Sequence, residues 1–498
     1  MSQSNNQTPQ NMKKSFLFIV AMLAVSVSAI AGNLKFSSLM GDNMVLQQNT
    51  KARVWGSADA RATVTLSASW LASPVSVKAD AKGKWEVLLD TPAATFEPQT
   101  LKAESGSESV TATNILIGEV WFCSGQSNME MTLGGGNGTP VEGSLEEIAM
   151  SRQYKGLRYM AVKKARALEP ADDAEGKWVE CDPSTSSAFS AVGFFFGSRL
   201  SKALDVPVGI INASWGGSVI EAWMSKELLK DCPDVNLADA SDSKVNDMYK
   251  PMIMYNAMFK PASKYTMAGI LWFQGESNIS IANTEYADRL TAMAAQWRSD
   301  IGLGDIPFLI VELQPYEYYD GQYGLQDEHG PILREQQFIA SKRIPNAGIV
   351  GTNDLAYEWE RTQIHASQKR QIGERLCYMA LNKAYGYTAV QACNPCFKSV
   401  KADNGKIVVS FDNARNGFLG VAGEIVGFEI AGKGGYYHPA KAEVKSSFRE
   451  GTTVVLSSDH VPEPVSVRYC FHDYEVGNLF GNNGLPVIPF QATVAEEQ

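Results

Sequence analysis

Three stretches of the chain follow different hydrophobic rhythms. From residue 33 to about 113, short runs such as ARVWGSA, ATVTLSA, VSVKADAKGKWEVLLD and SVTATNILIG alternate apolar with polar positions. Alternation of period two, rich in Val and Thr and bounded by Gly, Asp and Pro, predicts half-buried strands. Lys82-Gly83-Lys84 reads as a hairpin tip between two of them. From about 115 to 389 the rhythm changes. Continuous apolar runs at 208–212, 268–273, 307–312 and 347–351 are separated by stretches of helical period, among them 286–301 and 331–342. Strands that alternate with helices in this way predict a mostly parallel sheet covered on both faces. After about 398 the short alternation returns in GKIVVSF, IVGFEIAG, TTVVLSS and VSVRYCF, so a second β domain closes the chain.

In such sheets ligands bind beyond the carboxyl ends of the strands. Here VWFC runs into SGQSNM, VGIIN into ASWGGS, ILWF into QGESN, and GIV into GTNDL. One cluster of small and amide side chains is a loop. Four at one edge of one sheet predict a site.

Composition narrows what that site serves. The 498 residues are 45% hydrophobic and 20% charged, which are globular values, and the length asks for two or three domains. A net charge of −10 argues against a nucleic-acid partner. The opening segment reads as an export signal rather than as fold. It has a positive start at Met12-Lys13-Lys14, an apolar run over 16–27, and Ala29-Ile30-Ala31 as cleavage pattern. The expected division is therefore a signal peptide over 1–31, a β domain over 32–113, a parallel-sheet domain carrying the strand-end clusters over 114–397 and a β domain over 398–498. A periplasmic or secreted protein with no membrane segment after processing is implied. Seven cysteines are too few for a disulfide scaffold, and Cys393 and Cys396 are read as a local bridge or two spare thiols.

A serine becomes a nucleophile only when a base takes its proton, so Ser127 in GQSNM needs a histidine. Of five histidines, His438, His460 and His472 fall in the terminal β domain, and His329 lies in a loop-like stretch beside Asp327 and Glu328. His365 follows the strand AGIVGTND and opens the helical stretch ASQKRQIGERLCYMALNKA, which places it at the edge carrying the clusters. With a reference pKa of about 6.5, it would lose activity on the acid side of that value. Ester cleavage also needs N–H donors for the developing oxyanion. The backbone of Ser127, the Gly216-Gly217 turn and the Asn278 amide are candidates. No ligand cluster for a metal is visible, and no cofactor is expected.

Gly125-Gln126-Ser127-Asn128-Met129, Gly216-Gly217 with Glu221 and Trp223, Gln274-Gly275-Glu276-Ser277-Asn278 and the late His365 occur in that order. Together they resemble an SGNH-type hydrolase of the sialate O-acetylesterase kind. GDNMVLQQNTKARVWG and VRYCFHDYEVGNLFGNNGLPVIPF are similar to the ends of that family, so the resemblance spans nearly the whole mature chain. It implies a doubly wound, flavodoxin-like parallel sheet flanked by two β domains. It implies Ser127 as nucleophile, His365 as base, and Ser127, Gly217 and Asn278 as oxyanion donors. Attack on an acetyl ester of a sugar would give an acetyl-enzyme, then acetate. The implied substrate is an O-acetylated glycan, foremost 9-O-acetylated sialic acid. Acetylated xylan or another polysaccharide, a broader carboxylesterase substrate, or glycan binding by an inactive hydrolase domain are the alternatives.

One departure stands out. Relatives carry an acid two or three residues before the histidine and a proline after it, whereas Thr362, Gln363 and Ala366 occupy those positions. Asp354 is taken as the third catalytic member, with Glu358, Glu360, Glu276 or no acid as the other choices. Gln126, Gln274, Glu276 and Trp215 are the candidate substrate contacts. Trp223 and Trp359 could add to a sugar-stacking wall, while Trp272 is read as core. Arg334 is read as pairing with Glu335 and its neighbours. The GGGNG run at 134–138 lacks the Lys-Ser/Thr of a phosphate loop and is read as a loop beside the site.

Overall fold

A computed structural model describes residues 33–136, 138–279, 284–318, 328–415, 417–420, 423–447 and 451–495. The expected signal peptide lies outside them. The central sheet is built from β1 (Glu108–Gly125), β2 (Leu157–Val162), β3 (Gly176–Glu180), β4 (Val208–Ser214), β5 (Gly269–Phe273), β6 (Phe308–Val311) and β7 (Ala347–Val350), in the order β3-β2-β4-β1-β5-β6-β7. All neighbours are parallel except β3, which runs antiparallel to β2. From β4 to β7 this is the flavodoxin-like order 2-1-3-4-5, extended at one edge by β2 and β3.

Burial on both faces explains the unbroken apolar runs. Successive side chains of β1 point to opposite faces. Trp121 and Cys123 join a core with Phe194, Phe195 and Phe196 of helix α2 (Ala191–Leu204) and Ile372 and Leu376 of α5 (Lys369–Lys383). Val120 and Phe122 join the core on the other face, with Trp297 and Leu290 of α3 (Tyr286–Ile301) and Leu333 of α4 (His329–Arg343). A short first helix, α1 (Ser127–Glu130), follows β1 directly. Gly373 allows close packing of α5 on α2, since a Cβ there would stand 2.8 Å from the Phe196 backbone nitrogen.

The boundary expected at 113/114 falls inside β1, an 18-residue strand. Its first half pairs with Thr95–Ser105, its middle with Val45–Gln47, and its second half with β4 and β5. The N-terminal β region is therefore continuous with the central sheet. Lys82-Gly83-Lys84 is not a hairpin tip. Val75–Lys78 pairs with Thr63–Ala68, whereas Lys84–Asp90 pairs with Lys51–Ser57 in another sheet. The turn is a corner between sheets, held by Asp80, whose carboxylate accepts from the N–H groups of Lys82 and Lys84.

The C-terminal domain packs two four-stranded sheets around its own core. Its segment 472–477 lies on the hydrolase region. Tyr316 N–H donates to the Asp473 carbonyl (3.1 Å), Gly330 N–H to the Asp473 carboxylate (2.7 Å), and Gly477 N–H to the Asn353 carbonyl (3.1 Å). Arg334 is buried there and donates to the His472 carbonyl (2.5 Å) rather than pairing with Glu335. All seven cysteines are free thiols, so Cys393 and Cys396 are not bridged. Among the described residues, no helix is long and apolar enough to cross a membrane.

Trp297 is the centre of the larger core. It is fully buried, stacks on Phe259 at 3.9 Å between ring centroids, and meets Phe122 and Trp272 edge-on. Trp297→Ala is expected to cost about 3–5 kcal/mol, read as a lowered urea midpoint by tryptophan-independent circular dichroism.

Candidate active site

The parallel register brings the strand ends level. Gly125 of β1 stands opposite Ser214 of β4 on one side and Phe273 of β5 on the other. Gly125 has φ +137°, and a Cβ there would lie 2.0 Å from the Phe273 carbonyl oxygen, so the strand can end this tightly only with glycine. Gln126 N–H then donates to the Phe273 carbonyl (3.0 Å) and Trp215 N–H to the Gly125 carbonyl (3.0 Å). The chain turns at once into α1. Within Ser124–Met129, Ser127 alone is half-exposed, and every residue around it is buried. As the first residue of a helix, its own N–H has no partner within the helix and makes no bond elsewhere among the described residues.

The turn after β4 rests on this serine. A Cβ on Gly216 would come 3.3 Å from that of Ser127. Glu130 fixes the turn, accepting from Gly216 N–H (2.6 Å) while it pairs with Lys164 (2.6 Å). Lys164 lies 5.5 Å from the ring centre of half-buried Trp215. Gly217 sits at φ +76°, and its N–H makes no hydrogen bond among the described residues. Two unpaired backbone donors, of Ser127 and Gly217, therefore belong to the two segments that meet at the serine.

Asn278 lies among buried polar groups. It is fully buried, and its amide nitrogen donates to both carboxylate oxygens of Glu221 (3.2 and 3.0 Å), which Arg289 pairs in turn. Its side-chain oxygen accepts from Ile220 N–H and from Gln274. Gln126, Gln274 and Glu276 are likewise turned inward instead of toward a substrate. Gln126 Oε1 accepts from the Gln274 amide (3.0 Å) and from the Gly275 and Ser277 N–H groups (3.3 and 3.2 Å). Gln274 also donates to the Ser218 carbonyl and accepts from the Tyr286 hydroxyl. Glu276 accepts from the Asn128 amide (2.5 Å), and its burial raises its pKa against that bond and the charge of Lys369. A polar group without water must find a partner, and at this edge the polar groups find one another.

His365 lies on the loop between β7 and α5. The helix begins at Lys369, so the histidine precedes it rather than opening it. The Asn128 amide donates to the Ile364 carbonyl (3.0 Å), which joins the neighbour of Ser127 directly to the neighbour of His365. The imidazole is half-buried, and its Nε2 is buried with no hydrogen-bond partner. Burial, and then the charge of Lys369, push the His365 pKa down to about 4, well below the reference value. Lys369 is fully buried. It donates to the Ala366 carbonyl (2.6 Å) and to Gln314 (2.7 Å), and burial pushes its pKa down to about 7 against the pull of Glu276 and Glu360.

Asp354 is not brought to His365. Both its oxygens are taken by the guanidinium of Arg375 (2.7 and 2.6 Å). Glu358 is exposed at the surface beside Arg361. Glu360 is buried and accepts from the backbone N–H groups of Tyr357 (3.0 Å) and Ser367 (2.8 Å), so it shapes the loop. Among the described residues the imidazole has no carboxylate partner, and no group of three or more His, Cys, Asp or Glu side chains is arranged to hold a metal. Trp223 and Trp272 are fully buried, whereas Trp359 is 68% exposed and stacks on Tyr357 at 5.4 Å. Sequence reasoning missed Asn128, Glu130 and Lys369. Their signal was only an ionisable or amide side chain near a candidate residue, Asn128 and Glu130 just after Ser127 and Lys369 four residues after His365.

A doubly wound sheet whose strand ends gather a half-buried serine, a glycine turn and a histidine loop is the arrangement expected of an SGNH-type hydrolase. Residues 117–382 match the family of carbohydrate esterases described as sialic acid-specific acetylesterases. The chain is 29% identical over 383 residues to the sialate O-acetylesterase of Homo sapiens, covering 71% of each. It is 27% identical over 454 residues to that of Rattus norvegicus, covering 79% of this chain and 82% of that one. A carbohydrate acetylesterase from Xanthomonas citri superposes with a TM-score of 0.81 at 32% identity, covering 93% of this chain and 100% of the other. The chain belongs to the sialic acid-specific acetylesterase family of carbohydrate esterases, and it is a carboxylic ester hydrolase that removes O-acetyl groups from carbohydrate.

The depressed His365 pKa is open to direct measurement. A proton NMR titration is expected to place the midpoint near 4, with Lys369→Met moving it upward as the neighbouring charge is removed. A wild-type midpoint at about 6.5 would show that the imidazole is solvated instead.

Proposed function

We propose that Ser127 is the nucleophile and His365 the general base of this esterase. The observation that carries the reading is the Asn128–Ile364 hydrogen bond, because it sets the half-exposed serine beside the histidine loop. The neutral imidazole takes the Ser127 proton as Oγ attacks the acetyl carbonyl carbon. The N–H groups of Ser127 and Gly217 stabilise the oxyanion. Collapse of the tetrahedral intermediate breaks the bond to the sugar oxygen, which leaves with the proton from His365. Water then attacks the acetyl-serine as His365 takes its proton. Acetate departs, and the proton returns to Ser127.

A base with a pKa near 4 stays neutral through the mildly acidic range. Acetate release should therefore persist below pH 6.5, contrary to the expectation from an ordinary histidine. The sialate O-acetylesterases among the relatives support an O-acetylated sialic acid as the substrate, and the 9-O-acetyl ester is the form we propose. The exposed Tyr357–Trp359 stack and half-buried Trp215 offer apolar faces to the rings of such a glycan. The Lys-containing start, apolar run and Ala-x-Ala pattern over 12–31 support export to a periplasm or beyond.

Acetate release measured across a panel of acetylated sialosides, xylan and simple acetates tests this reading. Ser127→Ala is expected to lose activity on all of them by at least about 10³-fold, and a Ser127→Ala protein of wild-type rate would overturn the assignment. Trp359→Ala is expected to raise KM for acetylated oligosaccharide by about 3–10-fold, as loss of one stacking contact of order 1 kcal/mol requires. The same variant should leave the kinetics with 4-nitrophenyl acetate unchanged.

A further inference from the structure

The residue three before His365 is Thr362, and the imidazole has no carboxylate to orient it among the described residues. Its backbone, by contrast, is held from both sides. The carbonyl before it, of Ile364, accepts from Asn128, and the carbonyl after it, of Ala366, accepts from Lys369. Ser367 N–H is held by Glu360. Of these three side chains, only Asn128 also belongs to the nucleophile loop.

An asparagine amide nitrogen carries two hydrogens. In Asn128 one is directed to Glu276 Oε1 (2.5 Å) and the other to the Ile364 carbonyl (3.0 Å). Both targets are acceptors, so reversing the amide would set its oxygen against two oxygens. The orientation is thereby fixed. Asn128 is 1% exposed, and its own Oδ1 is buried without a partner, which leaves the bridge as the side chain's whole hydrogen bonding.

We infer that Asn128 is a positioning residue that fixes His365 relative to Ser127, oriented by Glu276 and doing through the backbone what an acidic partner does through the imidazole in related enzymes. This rests on the Ser127–His365 reading above. Asn128 touches no reacting atom. Its effect is geometric, and a displacement of about 1 Å between nucleophile and base is worth about 10²-fold in rate.

Asn128→Asp keeps the shape and removes the donor. It is expected to lower kcat by about 10–100-fold with KM within about twofold. Labelling of Ser127 by phenylmethylsulfonyl fluoride should slow in parallel. Glu276→Gln, which still offers an acceptor oxygen to the amide, is expected to keep most of the activity, and Glu276→Leu to lose it as Asn128→Asp does. The inference is overturned if Asn128→Asp retains kcat within about threefold of wild type, if its loss falls on KM, or if Glu276→Gln is as impaired as Glu276→Leu. Should Asn128→Asp fold poorly, the Glu276 pair carries the same test. Failure of the Ser127–His365 reading would look different, with wild-type protein that releases acetate yet is not labelled at Ser127.

Discussion

The contact between Gly125 and the Phe273 carbonyl is the constraint from which the site follows. β1 is the central strand of the parallel sheet and also the edge on which the N-terminal β region is built, so its position is fixed along its whole length. Where it ends, the chain must leave between β4 and β5 with no room for a side chain. The positive φ of Gly125 turns the backbone sharply enough for a helix to begin two residues on. Ser127 thus stands half-buried at a helix N-terminus, its N–H unused among the described residues, by a backbone geometry at Gly125 that no other residue type adopts without strain.

Around that serine the protein spends many polar side chains on holding other polar side chains. Gln126, Gln274, Asn278, Glu221 and Arg289 form a chain of buried hydrogen bonds beneath the strand ends. Each link is worth little as net stability, since water would serve these groups equally well in the unfolded chain. Leaving one unpaired would be costly, so the network tolerates one arrangement, and the loops above it inherit that rigidity. Preorganised donors act on a developing oxyanion without reorganising at the moment of reaction. The amides read as substrate contacts are thus the floor of the site.

The electrostatics of His365, the proposed base, run opposite to those of a Ser-His-Asp triad. There a carboxylate stabilises the imidazolium. Here burial and the ammonium of Lys369 disfavour it. An imidazole of low pKa is a weaker base but is neutral over a wider range of pH, and its ring must be placed by means other than a carboxylate. The backbone bonds to Ile364 and Ala366 supply that placement. Glu360, the remaining acid of the loop, has both oxygens occupied by backbone N–H groups and shapes the loop without reaching the ring.

Much of this molecule was determined by the sequence alone, because strand and helix periods are set by local geometry. The unbroken apolar runs ending in Gly, Ser, Asn and Gln could only be buried parallel strands with their polar ends at one edge. GQSNM, the Gly216-Gly217 turn and His365 were legible on that ground. What tertiary structure decided was direction. That Asn278 donates to Glu221 cannot be read from QGESN, because only the fold brings Glu221, 57 residues earlier, against it. Asp354 at a strand end looks free to serve the base until Arg375, 21 residues on, occupies both its oxygens. Hydrogen bonds between side chains distant in sequence depend on angles and distances of a few tenths of an ångström, and no pattern of residue types along a chain encodes those.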